Sequence, residues 1–83
     1  MWKIQYTQKS AKFLSKLNSD IKERLRKGIE ELGLNPDLGK QLAGPLKGSS
    51  SLRIGDYRVI YKKEIDTLVI LIVAIGHRKE IYR

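Results

Sequence analysis

The spacing of apolar residues changes from a period of two to a helical period and back along the chain. In residues 2–6, Trp, Ile and Tyr alternate with polar side chains, and this alternation predicts a half-buried first strand. Residues 8–17 carry Phe13, Leu14 and Leu17 at helical spacing, which predicts a first helix. The polar residues 18–20 interrupt that pattern, so the helix is predicted to end before them.

A second helix is predicted to begin at Asp20. Asp20 is followed three residues later by Glu23, an arrangement that resembles a capping box. Gly33 and Pro36 are typical of helix ends and are predicted to stop it. One face of this helix carries an apolar stripe that needs to pack on a core, formed by Ile21, Leu25, Ile29 and Leu32.

A loop is predicted over residues 35–48. From Gly33 to Gly48 the chain contains both of its prolines and four of its seven glycines, and such residues mark turns and loops. Leu42 and Leu46 lie within this segment. We expect these two leucines to pin the loop to the core.

The remaining residues predict a three-stranded meander. Strands are predicted over residues 49–54 and 57–63, joined by a two-residue turn at Gly55 and Asp56. A second turn, over residues 63–66, precedes eight consecutive apolar residues, 68–75. Such a run is too short for a confident helix and predicts a strand that is buried on both faces.

The predicted fold is therefore a single α+β domain over residues 1–83, with the element order β-α-α-β-β-β. Two N-terminal helices packed on one face of a small, mostly antiparallel sheet would bury both helical stripes. The other face of the sheet, towards its basic edge, is expected to stay partly open.

Composition excludes several classes of protein. With 83 residues and no cysteine, the chain has no disulfide or thiolate site to support a core of marginal size. The one histidine and the carboxylates show no metal-ligand spacing, so we expect no metal and no cofactor. No apolar stretch reaches the roughly 20 residues of a membrane span, and polar residues interrupt the start too soon for a signal peptide. We expect a cytoplasmic protein.

The charge balance favours a polyanionic partner. Seventeen Lys and Arg residues against nine Asp and Glu give a net charge of +8, and such an excess speeds encounters with nucleic acid. Residues 40–83 contain nine basic and four acidic residues, whereas residues 1–39 contain eight and five. The second helix carries basic residues that form either a solvated face or a contact with RNA or a partner, namely Lys22, Arg24, Arg26 and Lys27.

Arg58 is the first candidate for chemistry. Alternation along the strand puts Arg58, Ile60 and Lys62 on one face and Tyr57, Val59 and Tyr61 on the other, core-facing side. A guanidinium projecting from a rigid strand is suited to gripping a phosphate through two parallel hydrogen bonds. A cross-strand ion pair with Glu64 or Asp66 is the alternative role for Arg58.

A basic and aromatic cluster follows the last strand. His77 and Arg78 emerge where that strand ends, a position at which sites are often assembled. His77 either transfers a proton near neutral pH or is a plain surface residue. Tyr82 either stacks on an exposed base or folds back on the core.

These residues carry a resemblance to a known family. The stretch Leu-Arg-Ile-Gly-Asp-Tyr-Arg-Val-Ile-Tyr at residues 52–61, followed by Gly-His-Arg-Lys-Glu-Ile-Tyr at residues 76–82, resembles the RelE-type toxins of the RelE/ParE toxin–antitoxin superfamily. The resemblance covers nearly the whole chain, including the first strand, the paired helices and the proline- and glycine-rich loop. It implies a RelE-like fold, a cognate acidic antitoxin and a ribosome carrying mRNA as partners.

The resemblance also implies an activity, the cleavage of mRNA in the ribosomal decoding site by attack of a 2′-hydroxyl on the neighbouring phosphate. In that reading Arg58 stabilises phosphate charge, Arg78 holds the phosphate near the leaving oxygen, and Tyr82 stacks on or orients the attacked nucleotide. His77 completes the implied catalytic set. The implied phosphate contacts are Lys47, Ser49, Ser51, Arg53, Lys79 and Arg83.

The chain departs from the family pattern on one strand. The best-known members carry two lysines where this chain has Ser49 and Ser51, and a neutral hydroxyl supplies no positive charge. Lys47, Arg53 and His77 are the candidates to replace it. Two other functions stay open: a ParE-like toxin that inhibits DNA gyrase without catalysis, and a degenerate module whose main ligand is the antitoxin.

Overall fold

Two helices on one face of a five-stranded mixed sheet make up the fold. The computed structural model describes residues 1–77. Its elements are β1 (Lys3–Tyr6), α1 (Gln8–Ser15), α2 (Ser19–Leu34), β2 (Lys40–Gln41), a 3₁₀ turn (Gly44–Leu46), β3 (Ser50–Ile54), β4 (Tyr57–Glu64) and β5 (Val69–His77). The strand order is β1-β5-β4-β3-β2, in which β1 runs parallel to β5 and all other neighbours are antiparallel. The predicted α+β fold is confirmed.

The core lies between the helices and the sheet. The apolar stripe of α2 and the alternating residues of β4 and β5 meet there, because each element has one apolar face to remove from water. As predicted, Val59 and Tyr61 of β4 are fully buried and Tyr57 packs beside them. The central cluster consists of Leu25, Ile29, Leu32, Val59, Tyr61, Ile70, Ile72 and Ile75.

The start of α2 corrects the sequence prediction. Asn18, not Asp20, is the N-cap: its side-chain oxygen accepts a hydrogen bond from the Ile21 amide at 3.0 Å. Asp20 lies in the first turn, where a negative charge favours the helix dipole. Helix α1 also ends earlier than predicted, at Ser15, and α2 runs through Gly33 to Leu34.

The predicted loop contains a strand and does not reach the core. Lys40 and Gln41 pair with Ser51 and Ser50, so β2 becomes the edge of the sheet. Neither Leu42 nor Leu46 joins the core, and Leu46 keeps 39% of its surface exposed. The expected anchoring by these leucines is therefore wrong. The loop is held instead through hydrogen bonds of Pro36 and Gly39 with the Tyr61 hydroxyl.

The β3–β4 hairpin turns where the sequence predicted. Gly55 has φ +60, and a positive φ at the first central position is typical of a type II′ turn that matches strand twist. The next turn is displaced by two residues and spans residues 65–68. In the described residues no helix is both long enough and apolar enough to span a membrane.

Helix α1 is fastened to an irregularity in β5. The β4–β5 pairing shifts between Ile60 and Tyr61, which leaves Val73 unpaired with β4. Thr7, the N-cap of α1, donates its hydroxyl to the Val73 carbonyl at 3.0 Å, and buried Ser10 donates to the Ile72 carbonyl at 2.8 Å. Because a bulge disturbs the ladder, these hydroxyls fix both the bulge and the position of α1.

Candidate functional site

The β3–β4 hairpin places basic side chains on the sheet face that points away from the helices. Arg53 lies directly opposite Arg58 in the register, and Ser51 lies opposite Ile60. Residues in register on antiparallel strands project to the same side. On β2, Lys40 pairs with Ser51 and so belongs to the same face. Three cations therefore share one side of this end of the sheet.

These residues line a recess of about 340 Å³, which we call the arginine recess. Lys40, Arg53 and Arg58 supply its charge, and none of its described lining residues is acidic. Ile60 on the same face is only 4% exposed, so this side of the sheet is more covered than the open face predicted from the sequence. The full lining is Leu38, Gly39, Lys40, Ser51, Leu52, Arg53 and Arg58.

The arginine recess brings two guanidinium groups together on paired strands. Like charges directly opposite each other on paired strands destabilise a sheet, and Arg53 and Arg58 are such a pair. Within residues 1–77, the ion pairs join Arg26 to Glu23 and Glu30, and Lys63 to Asp37. The alternative pairing of Arg58 with Glu64 or Asp66 is not formed. Two guanidinium groups at one site are suited to a phosphate, which each can bind through paired hydrogen bonds.

A buried tyrosine holds one wall of the arginine recess. The Tyr61 hydroxyl, which comes from the core side of β4, donates to the Pro36 carbonyl at 2.8 Å and accepts from the Gly39 amide at 3.0 Å. A Cβ on residue 39 would lie 2.6 Å from the Ser51 carbonyl oxygen. The close approach requires glycine there, and it brings the neighbouring Lys40 into the recess.

A surface ion pair adds to this attachment. The Lys63 ammonium donates to an Asp37 carboxylate oxygen at 2.6 Å. This hydrogen bond raises the pKa of Lys63 above its ordinary value. Since both groups are exposed to solvent, the pair orients the loop more than it stabilises the fold.

Two of the predicted phosphate contacts, Ser49 and Ser51, are buried. Ser51 lines the arginine recess but is only 5% exposed. Ser49 is equally buried and lies with Lys47 in a different recess of about 780 Å³, beside Lys63 and Ile65. The structure therefore brings Ser51 and Arg53 together with Arg58, and it separates Ser49 and Lys47 from them.

His77 lies on the other face of the sheet. It is in register with Tyr57, whereas Arg58 is in register with Gly76. The His77 ring packs edge-on against Tyr57 at 5.7 Å, and Tyr57 packs against Phe13 at 6.2 Å. The expected cluster of His77 with Arg58 is thus not formed, because adjacent residues of a strand point to opposite sides.

Four of the predicted site residues lie outside the described residues, namely Arg78, Lys79, Tyr82 and Arg83. The structure adds Lys40, which sequence reasoning missed because a two-residue edge strand leaves no periodic signal. The one sequence signal for Lys40 is its position next to Gly39 in a glycine-rich loop, where the backbone can approach a neighbouring strand closely. In residues 1–77 no cluster of three or more His, Asp or Glu side chains could hold a metal ion.

Comparison of sequences identifies one family. The sequence profile of the ParE toxin of the type II toxin–antitoxin system parDE matches residues 4–82. No curated protein sequence matches the chain.

Solved structures with the same fold come from toxin–antitoxin pairs. The chain resembles a chain of the toxin–antitoxin complex RelBE2 from Mycobacterium tuberculosis, with a TM-score of 0.86, 26% identity, and coverage of 93% of this chain and 98% of that one. It also resembles one in the archaeal RelE–RelB complex from Pyrococcus horikoshii OT3 (TM-score 0.78, 24% identity, 95% and 97% covered). A YoeB/ParE toxin from Agrobacterium tumefaciens matches with a TM-score of 0.76 and 18% identity over 92% and 98% of the two chains.

Proposed function

This chain belongs to the ParE toxin family of type II toxin–antitoxin systems, within the RelE/ParE superfamily, and we propose that it cleaves messenger RNA bound in the ribosome and so inhibits translation. The observation that carries this proposal is the arginine recess. Arg53 and Arg58 face each other across two strands, with Lys40 beside them. Such a cluster is the charge arrangement that an RNA phosphate needs.

The proposed reaction is a transfer within the RNA chain. The 2′-oxygen attacks the adjacent phosphorus, and the bond from phosphorus to the 5′-oxygen breaks. The 2′-hydroxyl loses its proton, and the leaving 5′-oxygen gains one. Negative charge develops on the phosphoryl oxygens in the transition state. Arg58, fixed on β4, stabilises that charge, and Arg53 binds the same phosphate from β3. Arg78 and Tyr82 are proposed to hold the leaving-group side and the attacked nucleotide.

The ribosome has a defined part in this proposal. Among the described residues that line the recess there is no histidine and no carboxylate, so the recess contributes charge and position rather than proton transfer. Alignment of the RNA for in-line attack lowers the activation free energy by about 7–11 kcal/mol in the best cases. We therefore propose that the ribosome supplies this alignment, which places the protein's action in the cytoplasm.

A second function, inhibition of DNA gyrase without catalysis, is favoured by two observations. The matching family is that of the parDE system, and His77 lies on the face opposite Arg58. In that case the recess binds without reacting. A module that binds only its antitoxin is the remaining alternative.

Single-turnover cleavage on programmed ribosomes tests the proposal. The wild-type protein should cleave ribosome-bound mRNA and leave naked RNA intact. Arg58→Ala should lower the rate by roughly 100-fold or more, as expected for lost transition-state stabilisation. Lys62→Ala is the matched control, because Lys62 is exposed on the same face of β4 but outside the recess, and its rate should stay near that of the wild type.

Two results would contradict the ribonuclease proposal. One is full activity in Arg58→Ala, and the other is rapid cleavage of naked RNA by the wild type. Inhibition of purified gyrase by a protein that cleaves no RNA would instead support the second function.

A further inference from the structure

The two helices differ in charge although both face solvent. Helix α2 contains four basic and four acidic residues, so its charges balance. Arg26 is within 3.6 Å of Glu23 and within 3.9 Å of Glu30. Residues 1–19, which include α1, contain four lysines and no acidic residue. The basic residues of α2 are therefore balanced by acidic residues of the same helix, whereas those of α1 are not.

Three of these lysines form a single stripe on α1. Lys9 and Lys12 of α1 and Lys16, the C-cap residue with helical backbone angles, recur at intervals of three and four, so they lie on one side of the helix. All three are exposed, whereas Ser10, Phe13 and Leu14 face the sheet. At a rise of about 1.5 Å per residue the stripe is roughly 10 Å long. We call Lys9, Lys12 and Lys16 the lysine stripe.

Lys9 works against the stability of its own helix, whereas Lys12 in the last turn favours the helix dipole. Lys9 lies in the first turn of α1, where positive charge opposes the helix dipole, and that turn contains no acidic residue. Neighbouring lysines on one helix face also repel each other. Helix α1 is nevertheless held in place, because Thr7 and Ser10 bind carbonyls of β5. A rigid support thus presents three lysines in a row, none of which forms an ion pair within residues 1–77.

We propose that the lysine stripe is a second RNA-binding surface, which docks the protein on the phosphate backbone of a folded RNA. It lies on the helix side of the sheet, and the arginine recess lies on the opposite side. The molecule measures 34 × 29 × 21 Å, so RNA that forms a cleft can contact both sides at once. This proposal rests on the proposed function, since the recess would hold the scissile strand while the stripe holds the surrounding RNA.

The test compares two triple variants with equal loss of charge. The α1 variant removes the lysine stripe by combining Lys9→Gln, Lys12→Gln and Lys16→Gln. The α2 variant removes three cations from α2 by combining Lys22→Gln, Arg24→Gln and Lys27→Gln. Glutamine keeps helix propensity close to that of lysine. Binding to 70S ribosomes is measured over a range of salt concentrations, and circular dichroism verifies the fold of both variants. A third variant with arginine at all three stripe positions tests whether charge alone suffices.

We expect the α1 variant to reduce the slope of log affinity against log salt by about 2 to 3, because each phosphate contact contributes about 0.7–0.9. The α2 variant should change the slope much less, and the arginine variant should bind like the wild type. With ribosomes in saturating excess, single-turnover cleavage by the α1 variant should stay near the wild-type rate, since the stripe docks but does not react.

The remaining outcomes distinguish the docking-surface proposal from the ribonuclease proposal. Equal slopes for the α1 and α2 variants would overturn the docking surface. So would an α1 variant that binds ribosomes like the control but loses its acidic antitoxin, because the stripe would then be a protein interface. A wild-type protein that cleaves no RNA, yet shows the predicted slope difference, would overturn the ribonuclease proposal and keep the docking surface.

Discussion

Tyr61 connects the core of the molecule to its charged recess. Its ring is fully buried in the central cluster, and its hydroxyl reaches the backbone of Pro36 and Gly39. A buried hydroxyl without a partner is costly, so the tyrosine and the loop segment require each other. One side chain thereby fixes the wall that carries Lys40.

Tyr61→Phe should destabilise the protein by about 1–3 kcal/mol, because it leaves a partly buried amide and a partly buried carbonyl without their partner. The ring remains, so the core keeps its packing. Urea unfolding measures the change, with Tyr57→Phe as the control, since no described residue bonds the Tyr57 hydroxyl. Cleavage on ribosomes should also fall in Tyr61→Phe. Equal stability of the two variants would show that the loop is held elsewhere.

At the scale of elements, capping residues decide where the helices begin. Thr7 and Asn18 have extended backbones, and each accepts a hydrogen bond from the amide three residues later. Thr7 has the additional bond to β5. The first helix is thus positioned by the sheet, and the second by its own first turn.

Asn18→Ala should lower the free energy of unfolding by about 1 kcal/mol, as expected for a lost N-cap. Asp20→Ala removes only a favourable charge in the first turn and should cost about 0.3–1 kcal/mol at low salt. Urea unfolding at low and high salt distinguishes the two, because only the Asp20 effect should weaken with salt. A larger loss for Asp20→Ala would restore Asp20 as the cap.

At the scale of the whole molecule, a small core leaves large apolar side chains at the surface. Leu34 is 76% exposed and Ile65 is 70% exposed, and a domain of this size is only marginally stable by its own packing. The solved structures with this fold include complexes of toxins with antitoxins. Because the chain belongs to a family of type II toxin–antitoxin systems, we expect an antitoxin to cover part of this surface.

Binding of the cognate antitoxin should raise the melting temperature. A ligand that binds only the folded state at about 1,000 times its Kd stabilises that state by about 4 kcal/mol. The complex is obtained by co-expression with the neighbouring gene and compared with the free toxin by thermal unfolding. An unchanged melting temperature would argue against a tight complex with that partner.

The residues of the arginine recess show which parts of the site could be predicted from the sequence. Alternation along residues 57–63 predicted that Arg58 and Tyr61 lie on opposite faces, and the structure confirms it. The same reasoning did not find Lys40, since a two-residue edge strand has no period. It also grouped His77 with Arg58, whereas the β4–β5 register places His77 beside Tyr57.

The sequence alone determined the identity of the elements. The apolar periods of α2 and β4 indicate which face of each element is buried, because removal of apolar side chains from water drives the packing of both elements. Tertiary structure decided which elements meet and in which register. Pro36 and Gly39 reach Tyr61 across 25 and 22 residues, and Ser10 reaches Ile72 across 62. Local spacing carries no record of such contacts, because they depend on how distant faces pack once the core has formed.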